Sequence, residues 1–344
     1  MLPVFRSRKD RLKPYMEKQL SDMLFVEMPV DEFTDEADLS FMKGVPVPVR
    51  KDDLAVLADS GLSAVKIADN IAIVLGSDTQ FRYADQYVRF LHRLFDKKLV
   101  KVFSGKAGEA MKVGNYRLGM AYLRAGMCFD GDGRDAMFAY AGGCRYWYLA
   151  LEGSEDDTEL IKILKSEAAE YFEHLTDAFP DYAPGWYYLG YVYLNGGQYL
   201  KAQLAWKKYL TCADRDDTEQ TAPIEEIEQR VRELDDPVKI ERGAELLKAG
   251  RLEEGLAVLE PYVGTEYSKW WPLHFYLASA YNELGHKKEA AEGYLNVLRL
   301  SPSNVDAMDA LAAVYEALGE SEKARKYTEK AKIVRAGAAD EAQQ

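Results

Sequence analysis

Cysteine is scarce in this 344-residue chain: Cys128, Cys144 and Cys212 stand far apart, with no Cys-x-x-Cys pair. That count excludes a disulfide framework, offers no zinc site, and suits a reducing compartment in which all three are small buried apolar residues. Histidine is nearly as rare. His92, His174, His274 and His286 never form a His-x-x-x-His pair or adjoin a cysteine, so metal ligation has no local support. Positive charge is in deficit, 44 Lys and Arg against 57 Asp and Glu, for a net charge of -13. Such a surface repels phosphate backbones and anionic lipid, which argues against nucleic acid and membrane partners. No run of 18 or more uncharged apolar residues occurs, and the start, MLPVFRSRKDRLK, places charges where a signal peptide has its apolar core. A cytoplasmic protein is the expectation. The one basic stretch, Arg6, Arg8, Lys9, Arg11, Lys13 and Lys18, reads as a solvated helix end in preference to an arm.

Catalytic patterns are missing too. Asp130, Asp132 and Asp135 suggest a cation loop, but an EF-hand needs Gly where Asp135 stands and a carboxylate at Ala141. FSGKAGEAMKVG contains Gly-Lys without the phosphate-loop spacing, and no Gly-x-Ser-x-Gly elbow appears. The expectation is therefore no enzyme, no cofactor and no metal. Hydrophobic residues make up 48% of the chain, ample for a core.

What the sequence does contain is an internal repeat. Shifting the chain by 34 residues lays Leu277 on Leu311, Ala278 on Ala312, Tyr281 on Tyr315, Gly285 on Gly319 and Ala290 on Ala324. The same register fits from Ala183, with Trp186, Leu189, Gly190 and Tyr193 on a first helix, Gly197 in the turn, and Ala202 and Trp206 on a second. Small residues at Gly190 and Ala202 let two helices approach, and stacked pairs bury the face that one pair cannot. A weaker unit spans Asp236 to Val263 through Gly243, Gly250 and Gly255.

These positions, Trp-x-x-Leu-Gly-x-x-Tyr, then Ala-x-x-x-aromatic, with Pro180 and Pro302 closing their units, resemble the tetratricopeptide (TPR) family. The resemblance implies an all-α, right-handed superhelical solenoid of antiparallel helix pairs, with a mostly helical non-repeat N-terminal region. Five segments are expected: an arm or strap, partly extended, at 1–50; a helical non-repeat region at 51–103; degenerate TPR-like helices at 104–182; the array at 183–336; and a disordered tail at 337–344. Within the array an acidic helical insertion occupies 212–236, where Pro223 starts an amphipathic helix carrying Ile224, Ile227, Val231 and Leu234. Upstream, Ser63 is expected to cap a helix through Leu75, Thr79 one through Lys98, and Gly105 through Met127 to be helical, with Leu118, Gly119 and Tyr122 spaced like a worn first helix. Ala136 to Leu151 would pair with a helix carrying Ala168 and Phe172.

In that family the inner face takes fixed positions of each first helix. Carried over, they are Tyr187, Tyr191, Leu194 and Asn195; Ile240, Ala244, Leu247 and Lys248; Phe275, Ser279, Asn282 and Glu283; and Asp306, Asp309, Ala313 and Glu316. Tyr187, Tyr191, Leu194, Asn195, Lys248, Phe275, Asn282 and Glu283 are the candidate partner-binding residues. The Lys and Asn set that grips a C-terminal carboxylate is absent from these positions. Aromatics supply contact area and Asn can pair with backbone amides, so the expected partner is a protein or peptide with apolar anchors and some basic residues. The expected function is an adaptor or scaffold. The alternatives are a peptide-sensing regulator with an N-terminal output region, in which GLSAVKIADNIAIVLGSDTQ would be a helix-turn-helix, and an enzyme with an N-terminal site.

Overall fold

Gly114, Gly197, Gly250, Gly285 and Gly319 have φ between +69° and +83°, a conformation that a Cβ disfavours and glycine tolerates. Each ends a helix in the same way. The glycine N–H donates to the carbonyl three residues back, and the next N–H reaches the carbonyl five back, as from Asn115 to Ala110 and from His286 to Tyr281. Five residues after each glycine comes a buried small residue: Gly119, Ala202, Gly255, Ala290 or Ala324. The turn reverses the chain and the small residue lets the second helix settle against the first, so a helical hairpin is encoded locally.

The computed structural model describes residues 4–27, 39–152, 158–217 and 221–341, in two units, Met1–Ile224 and Glu225–Gln344. Unit 1 begins with two short helices, α1 (Val4–Ser7) and α2 (Lys13–Met16), and a strand β1 (Met23–Val26). β1 pairs antiparallel with β2 (Val47–Arg50), Met23 opposite Arg50 and Val26 opposite Val47. Three helices follow, α3 (Leu54–Ser60), α4 (Ala64–Ser77) and α5 (Ala84–Leu94). Then come three pairs: α6 (Lys98–Lys112) with α7 (Tyr116–Asp130), α8 (Arg134–Leu151) with α9 (Thr158–Ala178), and α10 (Ala183–Asn195) with α11 (Tyr199–Cys212). One core runs through the unit, from Met16, Val47, Ile71 and Leu75 to Phe103, Met127, Tyr140, Trp147, Leu164 and Phe172. Apart from the two strands, the regular elements of the described residues are helical.

α12 (Thr221–Glu233) carries the boundary between the units. Unit 2 contains α13 (Asp235–Lys248) with α14 (Leu252–Leu259), α15 (Trp271–Glu283) with α16 (Lys287–Leu300), and α17 (Val305–Ala317) with α18 (Ser321–Glu341). Two 3-10 turns, Glu260–Gly264 and Glu266–Lys269, lengthen the link between α14 and α15. Its pairs are held by Ile240, Leu259, Leu273 and Leu277, and by Tyr294, Val297, Met308, Leu311 and Tyr315.

Several expectations change. Gly105–Met127 is not one helix: Gly114 breaks it, so Leu118, Gly119 and Tyr122 lie on the second helix of a pair whose first is α6. Ser63 does cap α4, accepting from the Lys66 N–H, but Thr79 caps nothing; its hydroxyl donates to Asp10 at 3.2 Å, and the helix expected to Lys98 is only α5. The basic N-terminus is not a solvated helix end. Arg6 is buried and 2.7 Å from Asp85, Arg8 pairs with Glu170, Arg11 lies 2.6 Å from Glu167, and Lys13 lies 2.8 Å from Asp78. α18 runs on to Glu341, where the composition suggests fraying, because its alanines continue to favour helix; 342–344 lie outside the described residues. So do 28–38 of the expected strap and 153–157 of the acidic loop.

Candidate partner-binding face

The rotation of α10 is set by one close approach. A Cβ on Gly190 would stand 2.1 Å from the Trp206 indole, which is fully buried. With Leu189, Gly190 and Val192 turned into the core, Tyr187, Tyr191, Leu194 and Asn195 fall on the remaining side of the helix. Tyr187 and Tyr191 are half-buried and their rings meet at 5.1 Å; Tyr191 also stands edge-on to Trp206 at 5.0 Å, and Tyr187 to Tyr209 at 5.4 Å. These tyrosines therefore pack and present a flank together. Asn195 is exposed and donates to the Tyr148 hydroxyl at 3.3 Å.

That bond brings in α8, which the sequence register did not reach. Arg145 places its guanidinium 5.6 Å from the ring centroids of both Tyr188 and Tyr191, and Tyr146 is 49% exposed beside it. The Lys165 ammonium lies 5.4 Å from the Tyr148 ring and 3.1 Å from Glu152. The unit 1 face thus consists of α8 and α10 side chains, aromatic with a cation among them. The buried set Met137, Tyr140, Ala141, Cys144 and Tyr148, with first-helix spacing, is the signal that could have placed Arg145 and Tyr146 on this face.

In unit 2, Lys248 is exposed at the end of α13, 2.7 Å from Glu245, whose hydrogen bond raises the Lys248 pKa. Phe275 is half-buried and meets Tyr294 edge-on at 5.6 Å and Trp271 at 6.2 Å. Asn282 is occupied: its side-chain and main-chain oxygens both accept from the Lys287 ammonium, at 2.6 and 2.8 Å. Glu283 is exposed, as are Asp306 and Glu316, whereas Asp309 pairs with Arg335. Ile240 and Ala244 are core residues, 2% and 4% exposed, so that part of the carried-over face is corrected. Ile240 lies in one hydrophobic cluster with Leu256 and Leu259 of α14 and Leu273 and Leu277 of α15, so this side of α13 faces core.

The rival sites have less to offer. At the N-terminus a cavity of about 30 Å³ is lined by Arg8, Asp10, Arg11, Arg124, Tyr140 and Glu167, a volume on the scale of one or two water molecules and not of a substrate. Its carboxylates are already paired: Asp10 with Arg124, and Glu167 with Arg11 and the Tyr140 hydroxyl. The helix-turn-helix reading is overturned, since α4 is buried from Ile67 to Ser77 and has no helix face to enter a groove. Ile227 of α12 is fully buried. His274 is buried against the Ser268 carbonyl, Asp130 pairs with Lys97, and Cys128 and Cys144 are buried, but Cys212 is partly exposed, against expectation. Burial pushes the Cys128 thiol up to about 12, so it is an inert core group. Among the described residues no three His, Cys, Asp or Glu converge as a metal site, and no helix is long and apolar enough to cross a membrane.

No protein-family model and no curated protein matches the chain. Solved structures do. The chain is similar to the TPR domain of P58(IPK), with 15% identity over 81% of this chain and 74% of that one and a TM-score of 0.44. It is also similar to YrrB, described as a TPR protein with an unusual peptide-binding site (15% identity, 62% and 92% covered, TM-score 0.30). A third similar structure is PilW, a widely conserved type IV pilus biogenesis factor (17%, 67% and 90%, TM-score 0.33). At such values the fold rests on the helix pairs themselves, which make an all-α helical repeat in each unit.

Proposed function

We propose that this chain is a non-catalytic adaptor that holds a protein or peptide segment against the first helices of its pairs. The observation that carries this reading is the α8–α10 flank, where half-buried Tyr187 and Tyr191 share a face with exposed Asn195, and Arg145 of α8 holds its guanidinium 5.6 Å from the Tyr191 ring. Rigid aromatic side chains already held by their neighbours supply contact area at little entropic cost, and Asn supplies adaptable hydrogen bonds to a main chain. The acids Glu283, Asp306 and Glu316 suit basic residues of a partner at the unit 2 face. Free cysteines suit a reducing compartment, and the reading places the protein in the cytoplasm.

The test is affinity capture of native partners by the full chain and by its Tyr191→Ala and Asn195→Ala variants, each checked for an unchanged melting temperature. A polypeptide partner recovered by the parent chain and reduced about tenfold or more by Tyr191→Ala is the expected result, equivalent to about 1.4 kcal/mol at a contact hot spot. Equal recovery by all three chains would sink the reading.

A further inference from the structure

The unit 1 face carries a charge that the rest of the chain makes unexpected. Acids exceed bases by 57 to 44, and the N-terminal cations Arg6, Arg11 and Lys13 all sit on carboxylates. Arg145 does not. Among the described residues it makes no hydrogen bond or ion pair, and its Nε is buried without an acceptor. Two tyrosine rings, each 5.6 Å away, are its neighbours instead.

A guanidinium flanked by rings is partly stripped of water, and the cation–π contacts use its faces while leaving its N–H edge unspent. The buried Nε is out of a ligand's reach, but the terminal nitrogens are not buried and have no acceptor, so that edge is what a ligand can meet. The group whose geometry fits a guanidinium edge is a carboxylate, bound through two parallel charge-assisted hydrogen bonds. The surroundings leave room for one. Gly142, one turn before Arg145 on α8, has open space where a Cβ would point, so a ligand main chain can come close, and Tyr146 offers an exposed ring alongside. Lys165 is not an equivalent receptor, because Glu152 already pairs with it.

Resting on the adaptor reading above, we propose that Arg145 receives an Asp or Glu side chain of the bound segment, with apolar residues beside that acid packing on Tyr146 and Tyr191. The unit 1 face then selects an acidic-apolar peptide, opposite in sign to what the net charge of the chain suggests.

The experiment is selection of random dodecapeptides by messenger-RNA display on the immobilised full chain, run in parallel on Arg145→Gln, Arg145→Lys and Tyr191→Ala, with circular dichroism melts confirming that each is folded. The expected result on the parent chain is at least tenfold enrichment of an acidic position next to apolar ones. Arg145→Gln abolishes that acidic preference and Arg145→Lys weakens it. Bulk attraction to a chain of net charge -13 would enrich Lys and Arg, so enrichment of acids cannot arise from it. Peptides selected without acids, or acids enriched equally on Arg145→Gln, overturn the inference while leaving the adaptor reading intact if Tyr191→Ala loses those peptides. No enrichment on any chain over bare matrix overturns both.

Discussion

A Cβ at Gly76 would stand 2.0 Å from the Ala121 carbonyl oxygen and 2.4 Å from its Cα, so α4 and α7 touch backbone to backbone. Nothing at that contact is the movable end of a side chain. Gly76→Ala is therefore expected to cost about 3 kcal/mol or more, at the severe end of overpacking. Gly142, also mid-helix, faces open space, and Gly142→Ala is expected to stabilise by about 0.5–1 kcal/mol through helix propensity alone. Urea unfolding of the two variants decides the matter; similar effects from both would contradict the α4–α7 packing. Arg145 belongs to the same scale, since one side chain sets the polarity proposed for the unit 1 face.

At the scale of elements, the N-terminal segment is a strap stitched across three helices, beginning with Arg6 on Asp85 of α5. Leu12 and Met16 enter the core while Asp10 pairs with Arg124 of α7 and Arg11 with Glu167 of α9. Arg124 is 1% exposed, and Arg124→Met would leave the Asp10 carboxylate, whose side chain is 11% exposed, without its cation. The expected cost is about 3 kcal/mol, as for other broken buried pairs. Amide hydrogen exchange over residues 4–22 should accelerate together with that of α7; a variant that exchanges like the parent would show that the strap does not depend on the pair.

How much of this was legible beforehand follows from how local each signal is. A positive-φ glycine with a small residue five positions on is contained within one turn, so the pairs at Gly197, Gly250, Gly285 and Gly319 can be read directly. The α6–α7 pair hides behind Leu118, Gly119 and Tyr122, which have first-helix spacing on a second helix. Only the preceding Gly114 settles the phase. A strap is expected at 1–50, but where it docks could not be read, because Asp10 and Arg124 are 114 positions apart and nothing in either neighbourhood names the other. The candidate face shows the same divide. The 34-residue register reaches α10 and places Tyr187 and Tyr191, but α8 is eighteen residues long and lacks the glycine turn after it, so the register does not extend to Arg145 and only the spacing within α8 could have placed it.

For the whole molecule, a single rule of helical hairpins yields two units of different polarity at their first-helix faces: a tyrosine flank with an arginine in unit 1, and exposed acids on α15 and α17 in unit 2. The proposed adaptor would gain specificity from fixed side chains on a rigid scaffold. The most direct measurement is site-specific photo-crosslinking with a benzophenone amino acid in place of Tyr191 and, as a control, in place of Leu204, a 55% exposed apolar residue on the second helix α11. The account predicts polypeptide adducts from position 191, diminished by Asn195→Ala, and few from position 204. Equal adducts from both positions, or none from 191 under conditions where a partner is bound, would contradict it.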